Sequence, residues 1–192
     1  MQYRIFGENL PAVTLKMEMG ERVFTQSGGM TWMTDGFSME TNMRGGVMKS
    51  LGRMFAGESI FMATYTAERP GAEITFSSSF PGSILPLTLD GREYICQKQS
   101  FLCATEGADI SLAPQLGRGG FFGGEGLRLE RLSGRGMAFL ELDGSVVEKN
   151  LAPGEVIKVS RAMSRHGRAA SPTARRLCAG LPTSSLAARG CF

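Results

Sequence analysis

The chain has a single histidine, His166, and it stands within the last 32 of its 192 residues. The first 160 residues therefore offer no imidazole for general base work, for activating a serine or cysteine, or for a zinc site. Cysteine is scarce too. Of four, Cys96 and Cys103 lie in the body with six residues between them, a spacing that fits neither a CxxC redox pair nor paired zinc knuckles. Buried free thiols are expected there. No apolar run approaches the roughly 20 residues of a membrane-spanning helix. The opening residues, MQYRIFGENLP, lack the basic, apolar and small-residue order of a secretory signal. A cytoplasmic location is the expectation. Acidic residues are missing from 161–192, which hold six arginines, whereas residues 1–160 hold 15 Lys and Arg against 18 Asp and Glu. The net charge of +3 thus joins a mildly acidic body to a basic tail, and the body gives no electrostatic case for a nucleic-acid partner.

What is present is glycine, 26 residues of it, set between short runs of strand character. Residues 13–19 (VTLKMEM) alternate so that Val13, Leu15, Met17 and Met19 share one face. Similar runs occupy 60–66, 73–76, 85–89, 94–97, 127–132, 138–142 and 156–159. Pro70-Gly71, Pro81-Gly82, Asp90-Gly91, Asp143-Gly144 and Pro153-Gly154 mark turns between them. Many short strands at regular spacing predict an all-β sandwich or barrel. One segment departs from this: in residues 43–55 (MRGGVMKSLGRMF), Val47, Met48, Leu51, Met54 and Phe55 fall at helical spacing opposite Arg44, Lys49 and Arg53. It reads as a short helix or loop over an open end of the β-structure. The alternative is a basic amphipathic segment, with Met48 and Lys49 at a membrane surface.

The chain also repeats itself. Residues 20–36 (GERVFTQSGGMTWMTDG) lie without a gap over 91–107 (GREYICQKQSFLCATEG), sharing Gly20/Gly91, Gln26/Gln97, Thr34/Thr105 and Gly36/Gly107. Residues 55–64 lie over 122–131, each preceded by Leu-Gly-Arg at 51–53 and 116–118. Residues 151–157 (LAPGEVI) resemble the same opening a third time. The organisation read from this is β-repeat 1 over 1–78, β-repeat 2 over 79–142, the start of β-repeat 3 over 143–160, and an aberrant basic tail, expected to be disordered, over 161–192. The tail has an explanation in codons. GGC GGC GAG GGG CTG TTT encodes Gly-Gly-Glu-Gly-Leu-Phe and, read one base later, gives Ala-Ala-Arg-Gly-Cys, the sequence at 187–191. The hidden peptide resembles Gly123-Gly124-Glu125-Gly126-Leu127. A single-base shift near codon 160, natural or a sequencing error, accounts for the loss of the third copy. Open β-edges left by that loss are expected to pair with other chains, including copies of this one.

Gly28-Gly29-Met30-Thr31-Trp32-Met33, Met43-Arg44-Gly45-Gly46, Ala67-Glu68-Arg69-Pro70-Gly71 with Phe80-Pro81-Gly82, and residues 119–127 (GGFFGGEGL) together resemble the altered-inheritance-of-mitochondria protein 24 family. The resemblance covers residues 1 to about 159. It implies three β-rich repeats about a pseudo-threefold axis, with a fold like that of the tryptophan RNA-binding attenuation protein. In this chain the third repeat is incomplete.

Candidate chemistry is thin. Glu58 and Glu125 hold equivalent repeat positions and are metal candidates, since carboxylates around an axis could hold a hard cation. Backbone N–H groups in the glycine turns, or Arg53 and Arg118, would serve them equally well as structural partners. The Phe121-Phe122 tip is a candidate contact surface for a protein or membrane, or an inward core cover. Trp32 and the methionines suit either an irregular core or an adaptable binding face. No catalytic residue and no cofactor motif is read. The function expected is a non-catalytic β-scaffold acting through protein or membrane-surface contacts, with a ligand- or metal-binding module at the symmetry axis as the alternative. The gene across codon 160 tests the frame reading: one restored base should yield a third Gly-Gly-Glu-Gly-Leu, and stop codons in the upstream frame would refute it.

Overall fold

The computed structural model describes residues 1–26, 28–43, 61–97, 100–112 and 129–146. Their strands, in chain order, are β1 (Gln2–Phe6), β2 (Ala12–Met17), β3 (Arg22–Gln26), β4 (Met30–Met33), β5 (Phe37–Met43), β6 (Phe61–Ala67), β7 (Ala72–Ser77), β8 (Gly82–Asp90), β9 (Tyr94–Gln97), β10 (Phe101–Thr105), β11 (Ala108–Leu112) and β12 (Leu129–Asp143). No α-helix occurs among the described residues, and the curled sheets form a half-barrel. The all-β expectation holds. Most of the amphipathic segment 43–55 lies outside the described residues.

Alternation does what a period of two dictates in β2: Val13, Leu15 and Met17 are buried and Lys16 is exposed. Met19 does not join them. The strand ends at Met17, the chain turns through Gly20 at φ 85°, and Met19 is left 72% exposed. The runs 127–132 and 138–142 are not two strands either. They belong to one fifteen-residue strand, β12. Gly134 and Gly136, at φ 100° and 128°, bend it in a conformation that L side chains avoid, and Arg135 N–H still donates to the Gly107 carbonyl at 2.9 Å. The ladder therefore continues through the bend.

All pairings are antiparallel. The four-stranded sheet runs β1-β2-β7-β4, and the eight-stranded sheet follows β11-β12-β10-β3-β6-β5, with β8 and β9 also on β12. One pattern occurs twice in these pairings. β7 has β2 and β4 beside it, and the later part of β12 has β8 and β10. β6 has β3 and β5 beside it, and the earlier part of β12 has β9 and β11.

The pairing of β3 with β10 joins the two halves: Thr25 lies opposite Cys103, Phe24 opposite Ala104 and Val23 opposite Thr105. At this joint Val23 and Phe24, and Cys103 and Ala104, point into different cores. Val23 and Cys103 enter a core with Leu15, Ile74, Phe76 and Phe139. Phe24 and Ala104 enter another with Phe101, Leu132 and Leu140, where Phe24 stacks on Phe101 at 5.5 Å. At the rim of the joint, Arg22 donates to Glu106 at 2.8 Å and to Glu40 at 3.3 Å.

The turn from β7 to β8 is fixed by a buried carboxylate. Glu141 Oε2 accepts from Ser79 N–H at 2.7 Å, Ser79 Oγ at 3.0 Å and Ser78 Oγ at 3.1 Å. Truncating it removes the charged acceptor of the part-buried Ser79 N–H and Ser79 Oγ, while Ser78 Oγ also donates to the Phe80 carbonyl at 2.9 Å; a hydrogen bond to a charged group is worth about 1.5–3 kcal/mol. Glu141→Ala should lower unfolding free energy by roughly 2 kcal/mol or more in urea titrations, and Glu141→Gln, which keeps one acceptor oxygen, by less.

Candidate interaction surface

The register of the four-stranded sheet sorts its side chains into two faces. Tyr3, Leu15, Ile74 and Met33 lie opposite one another across β1, β2, β7 and β4, and this face is the core: Leu15 and Ile74 are fully buried. The Tyr3 ring meets Phe139 edge-on at 5.2 Å. Arg4, Thr14, Thr75 and Trp32 form the matching row on the other face. Its hydroxyls are satisfied within the sheet. Thr14 Oγ1 and Thr75 Oγ1 are 2.8 Å apart, and Thr31 Oγ1 donates to Ser77 Oγ at 2.9 Å. Thr14 and Thr75 are themselves buried, so of this row only the ends, Arg4 and Trp32, are exposed.

Aromatic side chains stand at both ends of it. At the β1 end the Arg4 guanidinium lies 5.2 Å over the Phe6 ring, a cation–π contact between residues two apart on one strand face. Phe6 is 39% and Leu10 56% exposed. Gly7, at φ 90°, makes the turn that brings Leu10 round, and a Cβ there would strike the Leu10 carbonyl. At the β4 end Trp32 is 43% and Met33 39% exposed. β1 pairs only with β2, and β4 only with β7, among the described residues.

The candidate residues from the sequence, Glu58 and Glu125 for a metal and Met48, Lys49, Phe121 and Phe122 for contacts, lie outside the described residues. The two readings of the methionines both occur: Met17 and Met62 are core, whereas Met19, Met33 and Met39 are exposed. Tyr3, Phe6 and Leu10 were missed, although the alternating Tyr-Arg-Ile-Phe at 3–6 carried a strand signal. Among the described residues no group of three His, Cys, Asp or Glu side chains could hold a metal ion. No helix among them is long and apolar enough to cross a membrane.

Titratable groups divide by burial. Cys96 and Cys103 are buried free thiols. Burial pushes both well above the usual thiol range, and the negative charge of Glu130 adds to this at Cys96. At Glu21, burial alone would raise the carboxyl. The Glu18 N–H and the N-terminal ammonium of Met1, at 2.8 and 2.9 Å, outweigh it and hold the group below the ordinary carboxylate value.

A family model described as mitochondrial biogenesis AIM24 matches residues 3–164. An uncharacterized protein of Streptococcus pyogenes serotype M6 is 27% identical over 152 residues, which are 75% of this chain and 61% of that protein. The chain thus spans about three-fifths of the length of that curated relative. An X-ray structure of a protein from Streptococcus pyogenes superposes with a TM-score of 0.61 at 25% identity, covering 78% of this chain and 68% of the other.

The thiols supply a direct check on the cores. Since the thiolate is the reactive form, Cys96 and Cys103 should resist alkylation at pH 8 in the native chain and label rapidly once it is unfolded. Peptide mapping distinguishes them from Cys178 and Cys191.

Proposed function

We propose that this chain, which belongs to the mitochondrial biogenesis AIM24 family, is a non-catalytic β-scaffold of two like units that acts by contact with another protein. The reading is carried by the β1 end of the four-stranded sheet. There an edge strand, paired on one side among the described residues, carries the exposed Arg4–Phe6 pair with Leu10 beside it. An extended segment of a partner can add to such an edge through main-chain hydrogen bonds, with alternate side chains finding apolar anchors. Arginine and aromatic residues are the side chains that most often carry interface energy. The pairing pattern that recurs in β2–β7 and in β8–β12 supports two like units, and it suits a rigid platform on which such an edge is held.

A protein partner fits the site better than a lipid surface. The paired hydroxyls of Thr14 and Thr75 beside β1 are buried, and β1 itself has one cation, Arg4. Interfacial membrane segments draw instead on several basic residues around a large apolar face. Nucleic acid is disfavoured by the acidic balance of residues 1–160.

Affinity capture from cell extract, with Phe6→Ser/Leu10→Ser compared to the unmodified chain, tests the proposal. Truncated anchors of this kind cost about 2 kcal/mol or more, some 30-fold in affinity, so the variant should lose its partner while melting at an unchanged temperature. Equal capture by both chains overturns the reading. So does flotation of the unmodified chain, but not the variant, with anionic vesicles.

A further inference from the structure

We infer that the partner which adds to β1 is the β1 of a second copy of this chain, the two strands running antiparallel about a twofold axis at Ile5, with Arg4 of each copy opposite Phe6 of the other. This rests on the reading of β1 as a docking edge and names its occupant. Edge strands are usually blunted by a proline, a bulge or an exposed charge, and several edges of this chain are. β8, which pairs only with β12 among the described residues, has Pro86 in its middle. β4 shifts register between Met30 and Trp32, and β5 and β11 carry the exposed carboxylates of Glu40 and Asp109. β1 has no proline and no carboxylate. Its register on β2 is unbroken from Gln2 to Phe6, and its one charge, Arg4, folds over the Phe6 ring.

Symmetry selects the register. Opposed residues of an antiparallel pair share a face, so a twofold axis between two β1 strands must bring some residue opposite its own copy. At Arg4 the axis sets guanidinium against guanidinium, and like charges directly opposed are destabilising. At Tyr3 it sets Arg4 against Gln2 and carries Phe6 past the other strand, which begins at Gln2. Axes at Gln2 or Phe6 leave most of each strand unopposed. At Ile5 the axis sets Ile5 against Ile5 and Arg4 against Phe6, twice over. Each guanidinium then shares its face with the ring of its own chain and the ring of the second copy. Phe6, 39% exposed in the single chain, is covered. The product is one antiparallel sheet of β4-β7-β2-β1 followed by the same four strands in reverse order. Such an isologous contact closes at two copies.

The test uses the purified full chain. Sedimentation should show a concentration-dependent dimer, and Arg4→Glu, which alters two related pairs at once, should weaken it about tenfold. The register is read in a background of Cys178→Ser and Cys191→Ser by mixing Arg4→Cys chains with Phe6→Cys chains in a glutathione redox buffer. Disulfide-linked dimers should then join one chain of each kind, because Arg4 is opposed by Phe6 and lies a diagonal step from its own copy, too far for a disulfide. Disulfides formed equally well by either chain alone overturn the proposal. Hydrogen exchange on the unmodified chain needs no variant to fold: β1 amides should exchange more slowly as concentration rises, while those of β5 do not change. A chain that stays monomeric, or larger species indifferent to Arg4→Glu, overturns the proposal. A monomer that still captures an extract protein through Phe6 and Leu10 removes the dimer and leaves the docking edge standing. A monomer with equal capture by the unmodified and Phe6→Ser/Leu10→Ser chains removes both.

Discussion

The ladder between β3 and β10 is the interaction on which the rest of the molecule depends. Three residue pairs, Thr25 with Cys103, Phe24 with Ala104 and Val23 with Thr105, merge two sets of strands into one curved sheet. Because alternate side chains leave a strand on opposite sides, this short ladder also partitions the interior into two cores rather than one. Thr25 adds a buried hydroxyl donated to the Leu102 carbonyl, and Arg22 clamps the solvent side through Glu106. The clamp is partly exposed and screened, so it adds orientation more than stability. The energy lies in the burial of Val23, Phe24, Cys103 and Ala104.

Much of this architecture was legible in the residues. The period of two in β2 and the Asp-Gly and Pro-Gly turns that separate strands gave the all-β class directly, because alternation and left-handed glycine conformations are local properties. Gly20 and Gly91, aligned by the repeat, have φ of 85° and 89°. The misreadings also have local causes. Met19 continued an apolar alternation beyond the point where the chain turns, and alternation does not record where pairing stops. The single strand β12 was read as two because Ser133-Gly134-Arg135-Gly136 looks like a turn, whereas two glycines in a long strand also make a bend.

The contact surface was harder to see. Arg4, Phe6 and Leu10 lie outside the segments of the chain that align with one another and match no motif, and their exposure follows from β1 being an edge, which is a property of the assembled sheet. The thiols were legible for the opposite reason: Cys96 and Cys103 sit within apolar strand runs, and burial follows from that pattern.

The length of β12 has a consequence for how the molecule comes into being. This one strand is hydrogen-bonded to β8, β9, β10 and β11, so none of those four finds its principal neighbour until Leu129 onward has been synthesised. In the first half β2 likewise waits for β7 and β3 for β6, at separations no shorter than these. Folding rates fall as contacts become more distant along the chain, and a nascent polypeptide emerging from the ribosome would hold β8, β9 and β11 without their β12 partner, and β10 with β3 alone, until β12 follows. That interval, rather than the finished structure, is when the protein is most open to mispairing and to the attention of chaperones.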